Sequence, residues 1–364
     1  LFLNTGNVTK VGFSFDSNQF ISKEKCDLLR KGKLQRHDIV YTTRGTVGNA
    51  AYYSDSIPYE HVRINSGMVI IRPKEAIVCT EFLYQILKSD YYRPFFRKHC
   101  TGSAQPQLPI KNFSTIELDL PDLPVQCRIA GILSTYDDLI ENNQKQIKLL
   151  EEAAQRLYKE WFVALRFPGH ETTPIADGIP DGWEIQTLSQ IADVVMGQSP
   201  KSEFYNQDRQ GLPFHQGVGS YGTRFVIDTT YSTSFTRIAE AGSILFSVRA
   251  PVGRLNITKN KIVIGRGLAA INHRSGMQSY LFYLLKERFF KDNIIGNGAI
   301  FASISKDELL GQKFIVPVDD LVKRFNTVVS DIDGKIAGLE NQIMLLTEAR
   351  DRLLPKLMSG EIEV

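Results

Sequence analysis

The sequence predicts two tandem α/β (α+β) domains, each followed by a long helix, in a chain of 364 residues. Three observations predict this architecture: an ordered series of repeated segments, an apolar heptad pattern after each copy, and a Pro- and Gly-rich segment between the copies. A heptad-patterned helix cannot bury its apolar stripe alone. We therefore expect the two helices to form an antiparallel coiled coil, with the two halves of the chain related by pseudo-two-fold symmetry.

The first repeated segment is a strand that ends in an arginine-containing turn. Residues 38–48 (DIVYTTRGTVG) align with residues 243–253 (SILFSVRAPVG), so Arg44 and Arg249 hold equivalent positions four residues before a glycine. The alignment predicts the same turn in both copies. It leaves open whether the two arginines contact a ligand or tie down the turn.

The rest of the repeat follows in the same order. After the turns come a second strand, an apolar helical stretch, a Gly-led polar loop, and a short helix with a strand that ends in proline. The matched segments are 65–70 with 265–270, 81–96 with 279–290, 102–107 with 298–303, and the strands that end at Pro121 with Pro317. From Gly102 onward the offset is a constant 196 residues, and chance does not give such an ordered series.

After each of these prolines the apolar residues follow the period of a long helix. They recur at steps of mostly three and four, which is typical of a coiled-coil seam. The predicted seam includes Ile132, Leu139, Asn143, Ile147, Leu150 and Leu157 in the first helix and Val328, Ile332, Leu339, Ile343, Leu346 and Leu353 in the second. Asn143 is polar, and we expect it to fix the register of the seam or to be partly buried against its own domain. The alternative to a coiled coil is that each helix packs only on its own domain.

Six segments follow from these patterns. They are a first domain at 1–123, a first long helix at 124–162, a linker at 163–182, a second domain at 183–319, a second long helix at 320–358, and a tail at 359–364. The second domain opens with about 30 residues that have no counterpart before Leu1. We therefore expect the first domain to be truncated at its start.

Composition and charge narrow the class of protein. The net charge of +3 permits nucleic-acid binding without demanding it, and the two long helices are near neutral, so the surplus positive charge lies in the domains and linkers. The cysteines (Cys26, Cys79, Cys100 and Cys127) form no CxxC pair, which indicates reduced thiols and a cytoplasmic location. No apolar stretch is long enough to cross a membrane, and the six histidines show no metal-ligand spacing.

No motif in the sequence predicts a catalytic site. The chain has no P-loop, HExxH pair, GxSxG elbow or Asn/Asp-Pro-Pro-Tyr/Phe motif. Residues 217–222 (GVGSYG) match the GxGxxG pattern of dinucleotide sites. A β-rich segment follows them where such a site needs a helix, so we predict a polar loop between strands. We expect no catalytic residue, no metal and no cofactor in this chain.

Four motifs carry a resemblance to a known family. They are 126–134 (QCRIAGILS), which opens the first long helix, 149–162 (LLEEAAQRLYKEWF), which closes it, 179–183 (IPDGW), which leads into the second domain, and 353–362 (LLPKLMSGEI), which ends the second helix. Together with the tandem domain–helix units, these motifs resemble the specificity subunit of type I restriction-modification systems. The resemblance covers essentially the whole chain.

The resemblance implies a non-catalytic DNA-recognition subunit. Each globular domain would be a target recognition domain that binds one half of an asymmetric, bipartite site on double-stranded DNA. The paired helices would set the gap between the halves and dock methyltransferase subunits, two in number, with restriction and translocase subunits joining the complex. S-adenosylmethionine, ATP and Mg²⁺ would bind to those partner subunits.

The residues that contact DNA are expected on loops of each domain, where long polar side chains reach bases and phosphates. In the first domain the candidates are Thr43, Arg44, Thr46, Arg63, Asn65, Ser66, Ser103, Gln105 and Gln107. In the second domain they are Gln198, Ser199, Lys201, Gln216, Ser220, Tyr221, Arg224, Arg249, Arg254, Arg266 and Asn297. The alternative for each is a solvated loop residue or a salt bridge within the domain, and Tyr221 either stacks on DNA or packs inside its domain.

Two other functions remain open at the level of sequence. One is a self-contained DNA methyltransferase with an unrecognised active site, which would bind or consume S-adenosylmethionine as an isolated chain. The other is a scaffold whose coiled coil brings protein partners together, which would bind random and target duplexes with the same affinity.

Overall fold

The computed structural model describes residues 1–102, 106–289 and 303–363. The chain divides into two compact units. Unit 1 comprises Leu1–Gln146 and Leu339–Val364, and unit 2 comprises Ile147–Gly338. Both divisions fall inside a long helix, so each unit holds part of both long helices.

Both units combine helices with short strands. The helices are α1 (Lys23–Leu28), α2 (Thr80–Lys88), α3 (Arg93–Arg97), α4 (Ile110–Phe113), α5 (Leu123–Tyr158), α6 (Leu188–Ile191), α7 (Gln278–Phe289), α8 (Lys306–Leu310) and α9 (Asp319–Ser359). The strands of unit 1 are β1 (Phe2–Leu3), β2 (Val8–Thr9), β3 (Gly12–Phe13), β4 (Ile39–Thr42), β5 (Ala50–Tyr52), β6 (Arg63–Ile64) and β7 (Met68–Ile71). The strands of unit 2 are β8 (Ile175–Ala176), β9 (Ile179–Pro180), β10 (Glu184–Thr187), β11 (Ala192–Met196), β12 (Tyr205–Asn206), β13 (Leu212–His215), β14 (Tyr231–Ser232), β15 (Ile238–Ala239), β16 (Ile244–Ser247), β17 (Leu255–Ile257), β18 (Ile262–Ile264), β19 (Leu268–His273) and β20 (Lys313–Val316).

The main sheet of unit 1 is antiparallel, with the order β5-β4-β7. Its central strand β4 is buried on both faces, because its residues Ile-Val-Tyr-Thr leave no charged side chain to solvate. Ile39 and Tyr41 pack with Phe82 and Ile86 of α2 on one face. On the other face Val40 packs with Leu3 and residues of the short strand pairs β1-β6 and β2-β3.

Unit 2 repeats this arrangement and adds to it. Its antiparallel sheet has the order β11-β19-β16-β17, in which β16 and β19 correspond to β4 and β7. A second, mixed sheet has the order β12-β14-β13-β18-β15. Ile244 and Phe246 of β16 pack against α7, while Leu245 packs with Ile262 and Ile264 of β18 on the opposite face.

One predicted strand is wrong. Both copies were expected to have a strand before the proline, but only β20 in unit 2 is one, whereas residues 117–120 are not a strand. The reason is the partner: β20 pairs with β10, from Glu184↔Val316 to Thr187↔Lys313. Among the described residues of unit 1, no strand corresponds to β10, so the backbone of 117–120 has no ladder to join.

In unit 1 the helices α5 and α9 pack antiparallel. Ile129 and Leu133 of α5 share a core with Leu354 and Leu357 of α9. Further along α5, the buried Asn143 donates a hydrogen bond from Nδ2 to Oε1 of Gln342, at 3.2 Å. Along the pair of helices, residue numbers therefore increase in α5 while they decrease in α9, as predicted for an antiparallel coiled coil.

In unit 2 an aromatic cluster joins the end of the α5 helix to the start of α9. Tyr158 and Phe162 lie 5.8 and 5.1 Å from Phe325, measured between ring centroids. A π-helical turn, Lys159–Val163, continues α5 and carries Phe162. Trp183, the last residue of the 179–183 motif, is 6.1 Å from Phe162 between ring centroids, so its aromatic ring has a packing role.

Three seam positions differ from the prediction. Ile132, Leu139 and Val328 are exposed by 37, 46 and 48%. Their chain neighbours Leu133, Ile140 and Val329 are buried in their place. Where two apolar residues are adjacent, periodicity alone does not choose between them, and here the next residue faces the partner helix and domain. Asn143, Ile147 and Leu339 are buried, and the remaining predicted seam residues are half-buried: Leu150, Leu157, Ile332, Ile343, Leu346 and Leu353.

The predicted fold class is confirmed: two mixed α/β domains in tandem are joined by two long helices that pack antiparallel. Among the residues that the structure describes, no helix combines the length and apolar character that crossing a bilayer requires.

Candidate nucleic-acid interface

In unit 1 the loop between β4 and β5 forms a tight turn that presents Arg44. The hydroxyl of Thr42 donates to the carbonyl of Thr46 at 2.5 Å and accepts from the N–H of Asn49 at 2.9 Å. Gly48 has a φ of +102°, a backbone conformation that side-chain-bearing residues rarely adopt. The Arg44 side chain is exposed at the tip of this turn.

In unit 2 the corresponding turn has the same hydrogen bonds. The hydroxyl of Ser247 donates to the carbonyl of Pro251 at 2.6 Å and accepts from the N–H of Arg254 at 2.8 Å. Gly253 has a φ of +87°, matching Gly48. Arg249 is exposed at the tip. The two arginines therefore project from equivalent turns, and a hydroxyl rather than the arginine holds each turn together.

Each turn is also the meeting point of two other loops. In unit 1 the N–H of Thr43 donates to the carbonyl of Gly67, and the carbonyl of Thr43 accepts from Leu108, both at 2.9 Å. In unit 2 the N–H of Val248 donates to Gly267, and its carbonyl accepts from Ile304, again both at 2.9 Å. The repeat thus builds one frame twice, in which three loops converge around an arginine.

The predicted contact residues of unit 1 separate into two groups. Thr43 and Asn65 shape the frame: the Thr43 hydroxyl donates to the carbonyl of Gly67 at 3.1 Å, and Oδ1 of Asn65 accepts from the N–H of Gly67 at 3.0 Å. The exposed members are Arg44, Thr46, Ser66 and Gln107. Ser103 and Gln105 lie outside the described residues.

Arg63 is not available to DNA in this structure. Its residue is only 7% exposed, and its guanidinium donates to the carbonyls of Cys26 and Lys31, at 2.7 and 2.9 Å, and to the Cys26 sulfur. These bonds tie α1 to β6. The prediction for Arg63 is corrected to a structural role, because a contact with DNA would break the three hydrogen bonds of a buried guanidinium.

In unit 2 three predicted residues line one concave surface. Gln216, Arg249 and Arg266 surround a cavity of about 170 Å³ and are all exposed. Gly267 permits this convergence, because a Cβ on it would lie 2.4 Å from the carbonyl oxygen of Gln216. Two guanidinium groups and an amide therefore meet at one site, which is the set of donors that purine edges and phosphates accept.

The segment 216–228, here called the unit 2 loop, is held by a buried histidine. Nδ1 of His215 hydrogen-bonds to the Ser220 hydroxyl at 2.7 Å, and Nε2 to Oδ1 of Asp228 at 2.9 Å. Tyr221 packs against the second sheet, and its burial raises the pKa of its phenol. Ser220 is half-buried, so both residues are placed where they shape the loop.

The other predicted residues of unit 2 are dispersed around this concave surface. Gln198 and Lys201 are exposed, and Lys201 lies 3.9 Å from Glu203. The Ser199 hydroxyl accepts from the N–H of Arg266 at 3.3 Å and so supports that turn. Half-buried Arg254 lines a neighbouring cavity, and Asn297 lies outside the described residues.

Arg224 is the second corrected prediction. It is 1% exposed, and its Nη2 lies 2.5 Å from Oδ1 of Asp333 in α9. A DNA contact would require a charged side chain to leave a buried ion pair, which is energetically costly. Arg224 therefore attaches the unit 2 loop to α9.

Unit 1 has a basic groove that the sequence reasoning missed. Lys10, Arg93 and Arg97 line a cavity of about 620 Å³ beside the Arg44 turn, together with Gly45–Val47 and Gly102. Arg97 is exposed, whereas Arg93 lies 2.7 Å from Asp90 and packs near Gly48. The clustering of Arg93, Arg97 and Lys98 in the sequence was the signal that could have identified this groove.

The GxGxxG match does not form a dinucleotide site. Val218–Ser220 is a single 3₁₀ turn in the unit 2 loop, and strand β14 follows it. Within the described ranges, no three His, Cys, Asp or Glu side chains come together in an arrangement that holds a metal ion.

Comparisons with known proteins agree with this geometry. A family model described as the type I restriction modification DNA specificity domain matches residues 1–152 and again 180–344. A putative type I restriction enzyme MjaX specificity subunit from Methanocaldococcus jannaschii is 27% identical, over 98% of this chain and 89% of its own length. The MjaIX specificity subunit from the same organism is 28% identical, over 90% of this chain and 78% of its own length. The crystal structure of a type I restriction-modification system S subunit from M. genitalium shares the fold, with a TM-score of 0.55, 16% identity, and coverage of 98 and 91%.

Proposed function

Because the chain belongs to the type I restriction-modification DNA specificity family and is a DNA sequence-recognition subunit, we propose that its two units bind the two halves of one split DNA site. Unit 1 contacts one half-site around Arg44. Unit 2 contacts the other around Arg249. Catalytic residues belong, in this proposal, to partner subunits of the complex.

The observation that supports this proposal is that the two units share the same loop hydrogen bonds but expose different side chains. The hydrogen bonds around Thr43 and Val248 are the same, yet the exposed residues differ. Next to the arginine tip, unit 1 presents Ser66 where unit 2 presents Arg266. Equivalent frames would sit on DNA in equivalent ways, while different side chains would select different bases, so the site is asymmetric.

Base and backbone contacts are divided among these residues. Arg44 and Arg249 are exposed at the tips of the two turns, where a guanidinium can donate two hydrogen bonds to a guanine edge. Gln216 lies next to Arg249 on the concave surface, and its amide can form paired hydrogen bonds with an adenine edge. The groove of Lys10, Arg93 and Arg97 suits phosphates, which attract positive charge without regard to sequence.

The long helices set the gap between the half-sites in this proposal. Each helix contributes side chains to the core of both units: Leu133 of α5 to unit 1 and Ala154 of α5 to unit 2, Leu354 of α9 to unit 1 and Val329 of α9 to unit 2. A helix fixed at both ends has a length that is set by its residue count. The separation of half-sites would follow from that length.

The outer faces of the same helices would dock methyltransferase subunits. Leu149 and Leu345 are 64 and 53% exposed, although leucine is usually buried. They are separated by the repeat offset of 196 residues, so each copy of the repeat exposes the same position. A single exposed leucine is common on protein surfaces, but its recurrence at the same position of both copies fits two partner subunits on equivalent surfaces.

Mapping of adenine methylation tests this function. The chain would be expressed with its methyltransferase partner in a host, and methylated adenines would be mapped across the genome. We expect one motif made of two different half-sites with a single fixed gap. A contiguous motif would contradict the two-unit proposal, and methylation by the isolated chain would support a self-contained methyltransferase. Equal affinity for random duplexes would support a scaffold.

A further inference from the structure

The unit 2 loop is attached to the long helices through one buried residue, Arg224. The loop carries Gln216 beside Arg249 on the concave surface, and Arg224 lies eight residues further along the same segment. The contacts of Arg224 all lie within unit 2. Arg224 is fully buried, whereas Gln216 on the same loop is exposed.

Both long helices supply carboxylates to Arg224. Its Nη2 is 2.5 Å from Oδ1 of Asp333 in α9, and its Nη1 is 3.9 Å from Oε1 of Glu151 in α5. The other carboxylate oxygen of Asp333 accepts a hydrogen bond from the Ser279 hydroxyl of α7 at 2.6 Å. One side chain of the loop is therefore hydrogen-bonded to α9 and lies within ion-pair distance of α5.

Arg224 also stacks on the helix that packs beneath the main sheet. Its guanidinium carbon lies 3.6 Å from the ring centroid of Phe282 in α7. A flat guanidinium on an aromatic face fixes the plane of the group as well as its position. Lysine in this place would keep the charge but lose the planar stack.

Further hydrogen bonds hold the rest of the loop, including the segment between Arg224 and Gln216. The carbonyl of Arg224 accepts from the N–H of Ile257, and the carbonyl of Gly222 accepts from the Asn256 amide at 3.1 Å, which holds the far arm of the loop on β17. The N–H of Ile227 donates to the carbonyl of Ser220 at 2.8 Å and closes the loop. His215 then joins Ser220 to Asp228 at the base.

We propose that Arg224 is a positioning residue for DNA recognition: it fixes the unit 2 loop on α5 and α9, so that Gln216 and Arg249 face one half-site together. This inference rests on the proposed function, because it requires unit 2 to bind a half-site. In this proposal the loop is held in place by the same helices that set the gap between the half-sites. Arg224 itself touches no DNA in this proposal.

A purely structural role makes a different prediction, and unit 1 provides the comparison. There the corresponding carboxylate, Asp137, is bound by Lys88 of α2 and Arg350 of α9. None of these residues belongs to a predicted DNA-contacting loop. Removing the unit 1 pair should therefore reduce stability without altering base selection, whereas removing the unit 2 pair should alter base selection at one half-site.

The test uses the chain assembled with its methyltransferase and four variants: R224M, R224K, D333N and D137N. Affinities are measured for the duplex found by methylation mapping and for duplexes changed in one half-site at a time, well below the melting temperature. We expect R224M and D333N to reduce discrimination at one half-site by about tenfold, on the scale of one lost base contact, and to leave the other within twofold. R224K should be intermediate, and D137N should leave both unchanged.

Each other outcome overturns the inference. It is wrong if R224M and D333N keep full discrimination at both half-sites, or if they weaken both equally. It is also wrong if D137N reproduces their effect, because then general stability is the cause. If R224M fails to assemble, R224K and D333N decide. A wild-type complex that does not discriminate at all would instead contradict the proposed function.

Discussion

Asp137 and Asp333 are the same position in the two copies of the repeat, and each binds a cation that lies over an aromatic ring of the neighbouring helix. In unit 1, Lys88 lies 2.5 Å from Asp137 and 4.8 Å from the ring centroid of Tyr84. In unit 2, Arg224 does the same with Asp333 and Phe282. The repeat therefore preserves the interaction between domain and helix while the cation comes from different segments.

The unit 1 pair predicts a dependence of stability on pH. Burial alone would raise the pKa of the Asp137 carboxyl, but Lys88, Gln85 and Arg350 outweigh it and hold the pKa below the ordinary 3.8. A lowered carboxyl pKa contributes stability above the unfolded value, and this contribution is lost as the pH falls through the folded value. We expect D137N to reduce the free energy of unfolding at pH 7 by about 2 kcal/mol.

Thermal unfolding between pH 7 and about pH 2 measures this effect. The difference between wild type and D137N should be constant above pH 5 or so and shrink in acid. D138N, which changes the exposed neighbouring carboxylate, is the control and should leave the melting temperature nearly unchanged. A difference that grows in acid would contradict the assignment.

Asn143 predicts a trade between stability and register. Its buried amide bonds to Gln342, whose side chain is otherwise exposed, so leucine at this position would fill the seam and leave Gln342 to water. We expect N143L to raise the free energy of unfolding by about 1 kcal/mol and to permit more than one register. The measurements are thermal unfolding and the gap of the methylated motif. A single unchanged gap would mean that Asn143 does not fix the register.

The basic groove of unit 1 predicts a salt effect without a sequence effect. In the proposed function Arg97 contacts a phosphate, so we expect R97A to weaken binding to cognate and random duplexes by the same factor. The slope of log affinity against log salt should decrease by about 0.9. R128A, at an exposed arginine that does not line the groove, should leave both quantities unchanged. Reduced discrimination between duplexes in R97A would assign this residue to base contact instead.

The exposed leucines of the long helices predict a defect in assembly. We expect the double variant L149D/L345D to lose co-purification with the methyltransferase, because each aspartate places a charge in an apolar contact surface. The pair Q144D/N341D adds the same charge at exposed polar positions and should assemble normally. Both variants should melt at the wild-type temperature. Normal assembly of L149D/L345D would exclude this surface.

The fold could be predicted from the sequence because the internal repeat allows one half of the chain to be aligned with the other. Aligning Arg44 with Arg249 was enough to predict the same turn twice, and hydrogen bonds from Thr42 and Ser247 account for it. The long helices were equally predictable from their period. Their seam was wrong where apolar neighbours are adjacent, as at Leu139 and Ile140, since solvent exposure there depends on the partner.

The candidate site was less predictable, because burial is a property of distant contacts. Arg224 is a basic residue on a polar loop, as expected of a DNA contact. It is buried because it binds Asp333, which is 109 residues away in the chain. Arg63 is buried by carbonyls of α1 and the residues after it. Arg97 joins Lys10 in one groove only through the folded loops around Gly45. Periodicity carries none of this information.

The most direct test of the central claim is a comparison of methylation motifs in wild type, R44A and R249A, each expressed with the methyltransferase. We expect R249A to lose discrimination in one half of the motif, by about 1–3 kcal/mol at one base, and R44A in the other half, with the gap unchanged in both. Loss in the same half for both variants, or no loss in either, would contradict the account that each unit recognises its own half-site.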